Sequence, residues 1–314
     1  MEIKSSDIEE FRKLCGYDQL AQKLDSLGIQ TRILQKYLQK NAQELVGEKA
    51  QELGQVYIRD YPYFPRKRES FANSKIKEII EDAVYSSPEV DEIITAIKKH
   101  TNVFAKIPLR QEAPDEPYWL NNYVGLMDGV MIYSTLAQKN PRLYVEVGSG
   151  NTTKFAAKAI RENNLRTRII SIDPHPRAEI NALCSEIRRT PLEETDLSIF
   201  SRLGEDDILL LDNSHRAFPN SDVTVFFTEI LPSLARGVIY TLHDIALPDE
   251  MFVERFYNEQ YMLAAYLLGG AAGDEICFPT GYLLNHTTRL RELQEALGLE
   301  DVPLSGGFFW MRKK

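Results

Sequence analysis

Residues 143–153, LYVEVGSGNTT, place an apolar strand directly before a glycine turn and the start of a helix. LYVEV is apolar and β-branched enough to be a strand that is buried on both faces of a parallel sheet. Gly148 and Gly150 allow the chain to bend sharply and a ligand to approach the main chain. A helix is predicted to begin near Asn151 or Thr152, so that free backbone N–H groups face the turn. The stretch therefore predicts a nucleotide-type binding corner.

Two positions, Glu146 before the turn and Thr153 after it, indicate which kind of nucleotide ligand the turn binds. The pattern is Glu146-x-Gly-x-Gly, and Thr153 stands where a dinucleotide site has its third glycine. A pyrophosphate needs the close approach which that glycine allows, whereas a cationic ligand that bears an amino acid is favoured by Glu146. We therefore expect S-adenosylmethionine as the cofactor. A NAD-dependent oxidoreductase is the alternative.

Composition limits the partners of this chain. With 314 residues it can bury a large core, and one large domain with a smaller one is expected. The net charge of −9 disfavours a nucleic-acid or anionic-membrane partner. No apolar run approaches about 18 residues, so no membrane span is expected. The three cysteines lack metal-ligand spacing, which is typical of reduced thiols, and we expect a cytoplasmic protein.

The pattern changes near residue 115. Helical periodicity dominates before that point, and the prolines at 108, 114 and 117 indicate a linker. We predict a helical domain at residues 1–115, which would serve as a lid, a homodimer surface or a docking element. We predict the cofactor-binding domain at residues 116–314.

Strands and helices alternate after the linker. This alternation predicts a Rossmann-like, doubly wound, mostly parallel α/β sheet, whose ligands bind at the carboxyl ends of the strands. The segment at 178–189 is predicted to be a helix. The predicted strands are 143–147, 168–173, 207–212, 237–244, 275–280 and 306–312. Polar candidates end four of them: Glu146 to Gly150, Asp173, Asp212, and His243 with Asp244.

Asp173 ends the second predicted strand, 23 residues after Gly150 (173 − 150). A carboxylate at this spacing accepts both hydroxyls of a ribose in NAD and S-adenosylmethionine sites alike. The structural alternative is an acid that caps the segment after it. We predict the ribose role because the glycine turn lies upstream.

From about Pro117 onward the chain resembles class I S-adenosylmethionine-dependent methyltransferases, and it looks most like the branch labelled methyltransferase family 24. The resemblance implies a seven-stranded sheet and methyl transfer to a small-molecule acceptor, to a hydroxyl oxygen first and a nitrogen next. The matching pieces are YWLNNYVGLMDGVMIY, VEVGSGNTTKFAAKAI, SIDPHPRAEI, DILLLDNSHRAFPNSDVTVFF, LPSLARGVIYTLHDI, ERFYNEQYMLAAYLL and GGFFW.

The resemblance also implies a set of cofactor contacts. Asp173 would bind the ribose. Leu192 and Glu193 would lie near the adenine, although no clear third strand precedes them. Asp212 would face the methyl sulfonium. The other predicted cofactor residues are Glu146, Gly148, Ser149, Gly150, Thr152 and Asn213.

Two histidines are candidates for the chemistry. A hydroxyl nucleophile must lose its proton to a base or to a metal that lowers its pKa. His215 and His243 both follow strand ends, and we favour His243 as the base because it ends its strand, with Asp212 beside it. The structural alternative for His243 is an imidazole that bonds Asp212 or a backbone carbonyl.

A metal site competes with the base. Some sugar O-methyltransferases of similar fold hold Mg²⁺ with an Asp after the fourth strand and an Asp pair after the fifth. The corresponding residues are Asp212, His243 and Asp244, so one acid is replaced by an imidazole that Mn²⁺ accepts more readily than Mg²⁺ does. A third hypothesis is a non-catalytic S-adenosylmethionine-binding or scaffold protein.

Overall fold

A seven-stranded sheet forms the core of the part of the chain that the structure describes. The structure is a computed structural model and describes residues 74–250 and 257–314. The spatial order of the strands is β3-β2-β1-β4-β5-β7-β6, and β7 runs antiparallel to both of its neighbours. The strands are β1 (Leu143–Val147), β2 (Arg168–Ile172), β3 (Glu186–Arg188), β4 (Ile208–Leu211), β5 (Ile239–Leu242), β6 (Glu275–Pro279) and β7 (Phe309–Arg312).

The prediction of a mostly parallel, Rossmann-like sheet is confirmed. Strands β1, β4 and β5 are buried along their whole length, as their nearly continuous apolar sequences predict. In β1, Glu146 pairs with Ser171 of β2 on one side and with Leu210 of β4 on the other. The carboxyl ends of β1, β2, β4 and β5 therefore lie along one edge of the sheet.

Helices cover the sheet. The pair α4 and α5, which flanks β1 in the sequence, packs together, and α2 packs on α4. A π-helical segment, Phe226–Ile230, joins α6 to α7. The helices are α1 (Ser74–Ser86), α2 (Glu89–Lys98), α3 (Thr101–Phe104), α4 (Leu126–Lys139), α5 (Asn151–Glu162), α6 (Asp222–Val225), α7 (Leu231–Ser233), α8 (Glu259–Leu268), α9 (Thr280–His286) and α10 (Arg289–Leu297).

The segment at 178–189 differs from its prediction. It was expected to be a helix, but it forms a 3-10 turn at Asn181–Leu183 and then the short strand β3. The backbone N–H of Ser185 donates to the carbonyl of Ile169, and β3 continues in parallel along the edge of β2. Pairing with the open edge of the sheet outweighs the helix-like spacing of the apolar residues. The expectation that no third strand precedes Leu192 is therefore wrong.

Part of the predicted N-terminal helical region is described. Helices α1 and α2 pack against β6 and belong to the same compact unit as the sheet. The predictions for residues 1–73, including a homodimer surface formed by their helices, lie outside the described residues. The domain at 1–115 thus stays a prediction. Within 74–250 and 257–314, no helix combines the length and the apolar character that crossing a membrane requires.

Candidate functional site

The turn after β1 packs directly against the end of β4. Gly148 has a φ of +78°, and a Cβ at this position would lie 1.7 Å from the carbonyl oxygen of Asp212. The N–H of Gly148 donates to the carbonyl of Ile172 at 3.0 Å, and the N–H of Asp212 donates to the carbonyl of Val147 at 2.8 Å. A glycine is required here because both the backbone angle and the close approach exclude a side chain.

We expect Gly148→Ala to destabilise the fold by at least about 2 kcal/mol, because an L-residue would be strained at this φ and would clash with Asp212. Gly150→Ala is the matched control, since Gly150 is extended and the nearest atom to an added Cβ is 3.8 Å away. Denaturant unfolding of both variants measures the difference. Equal stability of the two variants would contradict the geometry of this turn.

Asp173 is held at the end of β2 by two main-chain donors. The N–H groups of Ser149 and His175 each donate to one of its carboxylate oxygens at 2.7 Å. The hydroxyl groups of Ser149 and Ser171 lie 2.8 Å apart beneath this contact. An ionised carboxylate has about four acceptor positions, so both oxygens retain acceptor capacity. The half-buried Asp173 is thus fixed beside the glycine turn, and its predicted ribose contact stays a prediction.

Glu146 lies beneath the turn and is fully buried. Its carboxyl group accepts hydrogen bonds from the hydroxyls of Thr153 and Tyr144, and Thr153 Oγ1 in turn accepts the N–H of Gly150. Glu146 therefore braces the turn against the first residues of α5. Its predicted contact with the cofactor stays a prediction. Burial raises the pKa of Glu146 to about 7, although the bonds from Thr153 and Tyr144 lower it.

The pKa of Glu146 predicts a pH-dependent stability. Its pKa is raised on folding from 4.5 to about 7, so ionisation opposes the folded state. The destabilisation is absent below pH 4.5, grows as the pH rises, and is complete above about pH 7, where it reaches roughly 3 kcal/mol. We expect Glu146→Gln to lose this part of the pH dependence. Denaturant unfolding at about pH 5 and about pH 8 measures it, and identical pH profiles would contradict the prediction.

The other predicted cofactor residues differ in their surroundings. Thr152 is buried at the start of α5. Leu192 is buried and Glu193 exposed in a 3-10 turn after β3. Asn213 is bonded elsewhere: its amide donates to Glu259 at 3.3 Å, and its side-chain oxygen accepts the N–H of His215 at 3.0 Å. Asn213 therefore supports a neighbouring cluster of histidines and acids.

Asp212 stands between two imidazoles at the ends of β4 and β5. One of its oxygens, Oδ1, lies 3.2 Å from Nδ1 of His243 and 3.3 Å from Nε2 of His215. Asp244 lies 3.7 Å from the same two ring nitrogens. The structure thus brings together all the predicted catalytic and metal-binding residues. We call Asp212, His215, His243 and Asp244 the histidine centre.

Each imidazole is also bonded on its outer side by a buried carboxylate. Glu259 lies 3.0 Å from Nδ1 of His215, and Asp128 lies 3.4 Å from Nε2 of His243. The backbone N–H groups of residues 307 and 308 donate to Asp128 and fix it. Asp128 and Glu259 were not among the site residues predicted from the sequence. The available signal was a single acid in an otherwise apolar helical stretch, DGVMIY or EQYMLAAYLL.

The carboxylates determine the charge of both imidazoles. Burial lowers the pKa of each histidine, but hydrogen bonds with Asp212 and Glu259 raise that of His215 to about 10. The charge of Asp212 and the bond with Asp128 raise the pKa of His243 well above its ordinary value. Both ring nitrogens of His243 face carboxylates. These two contacts compete with a substrate proton for the imidazole, and the role of His243 as a general base stays a prediction.

The histidine centre has the donor set of a metal site. One ligand atom from each of Asp212, His215 and His243 lies within 4.8 Å of the others. His215 thus joins the predicted metal ligands, while Asp244 stands slightly farther out. His215 and Asp244 have φ values of +58° and +52°, a left-handed conformation that histidine and aspartate adopt more readily than most residues do. Outer carboxylates on metal-binding histidines are the usual arrangement that fixes ring orientation.

A cavity of about 500 Å³ opens beside the histidine centre. Asp128, His243 and Asp244 form part of its wall, and Trp119 and Tyr123 provide aromatic surface. The remaining wall comes from residues near 245, 284 and 305. This volume suits a small organic molecule.

Several solved structures resemble this chain at low identity. The O-methyltransferase TomG from Streptomyces achromogenes, in complex with SAM, is 14% identical with a TM-score of 0.37, and the match covers 79% of this chain and 100% of that one. An O-methyltransferase from Bacillus cereus, in complex with SAH, is 12% identical with a TM-score of 0.32, covering 77% and 98%. The plantazolicin methyltransferase BpumL, in complex with SAH, is 14% identical with a TM-score of 0.37, covering 78% and 100%.

A family model matches the part of the chain that contains the site. Residues 145–245 match Methyltransf_24, which is described as a methyltransferase domain. The match includes the glycine turn, Asp173 and the whole histidine centre. Asp128 and Glu259 lie outside it. No curated protein sequence matches the chain.

Proposed function

We propose that this chain, which carries a class I S-adenosylmethionine-dependent methyltransferase domain, transfers the methyl group to a hydroxyl oxygen of a small molecule. One observation carries the proposal. Asp212 touches the glycine turn through its carbonyl and His243 through its carboxylate, and His243 lines the cavity. The cofactor turn and the acceptor cavity therefore meet at Asp212.

The residues around the glycine turn fit S-adenosylmethionine. Asp173 would accept the ribose hydroxyls, and Gly148 and Gly150 would leave room for the methionine portion. The carboxylate of Asp212 stands where it can stabilise a positively charged sulfonium. The cofactor supplies an electrophilic methyl group. The chain's own task is to hold the acceptor hydroxyl in line with that group, within about 3–3.5 Å.

The cavity offers both apolar and polar contacts to an acceptor molecule. Trp119 forms part of its wall, beside the polar side chains of Asp128 and His243. The aromatic ring of Tyr123, which is half exposed, provides a flat surface for packing.

We also propose that the histidine centre holds a divalent metal through Asp212, His215 and His243. Two imidazole nitrogens with carboxylate oxygens suit Mn²⁺, Fe²⁺, Co²⁺ or Zn²⁺ better than Mg²⁺, which prefers an all-oxygen set. Such an ion would lower the pKa of a bound hydroxyl. The outer carboxylates, Glu259 and Asp128, would keep the two rings oriented toward it.

A paired acceptor assay tests the function. The full-length protein, with Mn²⁺ or Mg²⁺, is incubated with S-adenosylmethionine and with matched phenols, alcohols and amines. We expect release of S-adenosylhomocysteine and a methyl ether from hydroxyl acceptors, with Mn²⁺ more effective than Mg²⁺. Transfer to amines alone would replace oxygen by nitrogen as the acceptor atom. Cofactor binding without transfer to any compound would favour the non-catalytic alternative, and a nicotinamide fluorescence titration tests the oxidoreductase.

A further inference from the structure

Lys154 is a buried cation in the first turns of α5, directly after the glycine turn. Its side chain is only 3% exposed. Its ammonium group lies 5.9 Å from the centre of the Tyr118 ring, and no described residue, in 74–250 or 257–314, forms a hydrogen bond or ion pair with it. Burial lowers the pKa of Lys154, and the charge of Asp115 raises it without a hydrogen bond or ion pair between the two side chains. A buried ammonium that no anion contacts is costly, so this group is suited to a ligand that supplies the negative charge.

The next lysine on the same helix shows the contrast. Lys158, one turn later, lies 3.4 Å from Glu116 and 2.8 Å from Glu162. Both lysines belong to the face of α5 that packs against the segment around residues 115–118. Only Lys154, the one nearer to the cofactor turn, lacks a carboxylate at contact distance among the described residues.

The start of α5 adds further groups that suit an anion. The backbone N–H groups of residues 151–153 have no acceptor within the helix, and the helix dipole favours negative charge at this end. The side-chain oxygen of Asn151 is buried without a partner among the described residues, so the amide is not held in place by protein contacts on that atom. Lys154 is three residues from Asn151, which is roughly 4.5 Å along the helix axis, and helical side chains lean toward the N-terminus.

Aromatic residues place Lys154 beside the cofactor site. The ammonium group of Lys154 lies over the ring of Tyr118. Five residues later, the guanidinium of Arg177 lies over the ring of Tyr123, 5.3 Å from its centre. Arg177 also lies close to Gly150: its Cβ is the nearest atom, at 3.8 Å, to the position that a Cβ on Gly150 would occupy. The segment 118–123 thus contacts residues on both sides of the glycine turn, and Lys154 packs against the first residue of this segment.

We propose that Lys154, together with the N-terminal N–H groups of α5, binds the α-carboxylate of the methionine portion of S-adenosylmethionine. The inference rests on the proposed cofactor and deepens it by naming the group that recognises the amino-acid end. It also gives the buried ammonium of Lys154 an anionic partner. A ligand that lacks the carboxylate leaves the ammonium unpaired and binds more weakly.

Calorimetry with two ligands tests the assignment. The probes are S-adenosylhomocysteine and its decarboxylated analogue, which differ only in this carboxylate. We expect the wild-type protein to prefer S-adenosylhomocysteine by about 10- to 100-fold, because a charge-assisted hydrogen bond is lost with the analogue. In Lys154→Met the preference should fall below about 3-fold, while affinity for the analogue stays unchanged. Lys158→Met is the matched control and should keep the wild-type preference.

The outcomes separate this inference from the proposed function. If S-adenosylhomocysteine does not bind the wild-type protein, the cofactor assignment itself fails. If it binds but the analogue binds equally well, the cofactor stands and the role of Lys154 is overturned. If Lys154→Met does not fold, Lys154→Gln allows the same comparison of the two ligands. The preference of the wild-type protein for the ligand with the carboxylate tests the proposal independently of any variant. An unchanged preference in a folded Lys154 variant also overturns the proposal.

Discussion

Asp173→Ala should reduce the affinity for S-adenosylhomocysteine by roughly 10²- to 10⁴-fold, since two charge-assisted hydrogen bonds to the ribose are lost. The carboxylate is preoriented by the N–H groups of Ser149 and His175, so the free protein has already aligned it for the diol. Preorganisation of this kind makes the loss large, because no ordering cost offsets the contact in the wild-type protein. Calorimetry with the nucleoside measures the effect directly.

Asp196 provides the matched control for this variant. It also accepts a main-chain N–H, that of Ser198, but it is exposed and lies in another turn. Asp196→Ala should leave the affinity within about 2-fold, as expected for a surface change away from the site. An intermediate affinity is expected for Asp173→Asn, which keeps an acceptor oxygen without the charge. Wild-type affinity in a folded Asp173→Ala protein would show that the ribose lies elsewhere.

The second large effect concerns the two imidazoles of the histidine centre. His215→Ala and His243→Ala should each lower turnover by roughly 10³-fold or more, while the affinity for S-adenosylhomocysteine changes by less than about 3-fold. Both histidines contact the same oxygen of Asp212, so in the proposed centre both would hold the ion beside the acceptor hydroxyl and neither would contact the nucleoside. Steady-state kinetics and calorimetry on the same preparations separate the two quantities.

Metal binding distinguishes a metal centre from a single general base. If the histidine centre holds the ion, both variants should also weaken Mn²⁺ binding, which electron paramagnetic resonance of the free ion reports. With a single imidazole base, only one variant would lose turnover and neither would lose the ion. His286→Ala is the control, because His286 pairs with Asp249 in a more exposed position and should change nothing. Full turnover in His215→Ala would contradict the proposed centre.

Local signals in the sequence predicted the strand, the turn and the helix around Gly148 and Gly150. The strand, the glycine turn and the helix at 143–162 are encoded by neighbouring residues, so periodicity and backbone chemistry suffice to predict them. Asp173, Asp212 and His243 could be placed together because parallel strands end at one edge of the sheet. A strand was predicted at 306–312, GGFFWMR, but its antiparallel direction depends on its pairing with β5 and β6 and was not predicted.

The parts that were missed depend on contacts between distant residues. β3 has a helix-like apolar spacing, and only the open edge of β2 makes it a strand. Asp128 lies 115 residues before its partner His243, and Glu259 lies 44 residues after His215. A single acid in an apolar helix does not reveal which distant group it will bond. The hydrogen bonds of Tyr144 and Thr153 to Glu146 beneath the turn were not predicted either.

Titration of S-adenosylhomocysteine into the full-length, correctly folded protein tests the central claim most directly. We predict saturable one-to-one binding with micromolar affinity, which NADH does not displace and which Asp173→Ala removes. The absence of any binding heat from folded wild-type protein, or displacement of the nucleoside by NADH, would contradict the assignment of the glycine turn to S-adenosylmethionine.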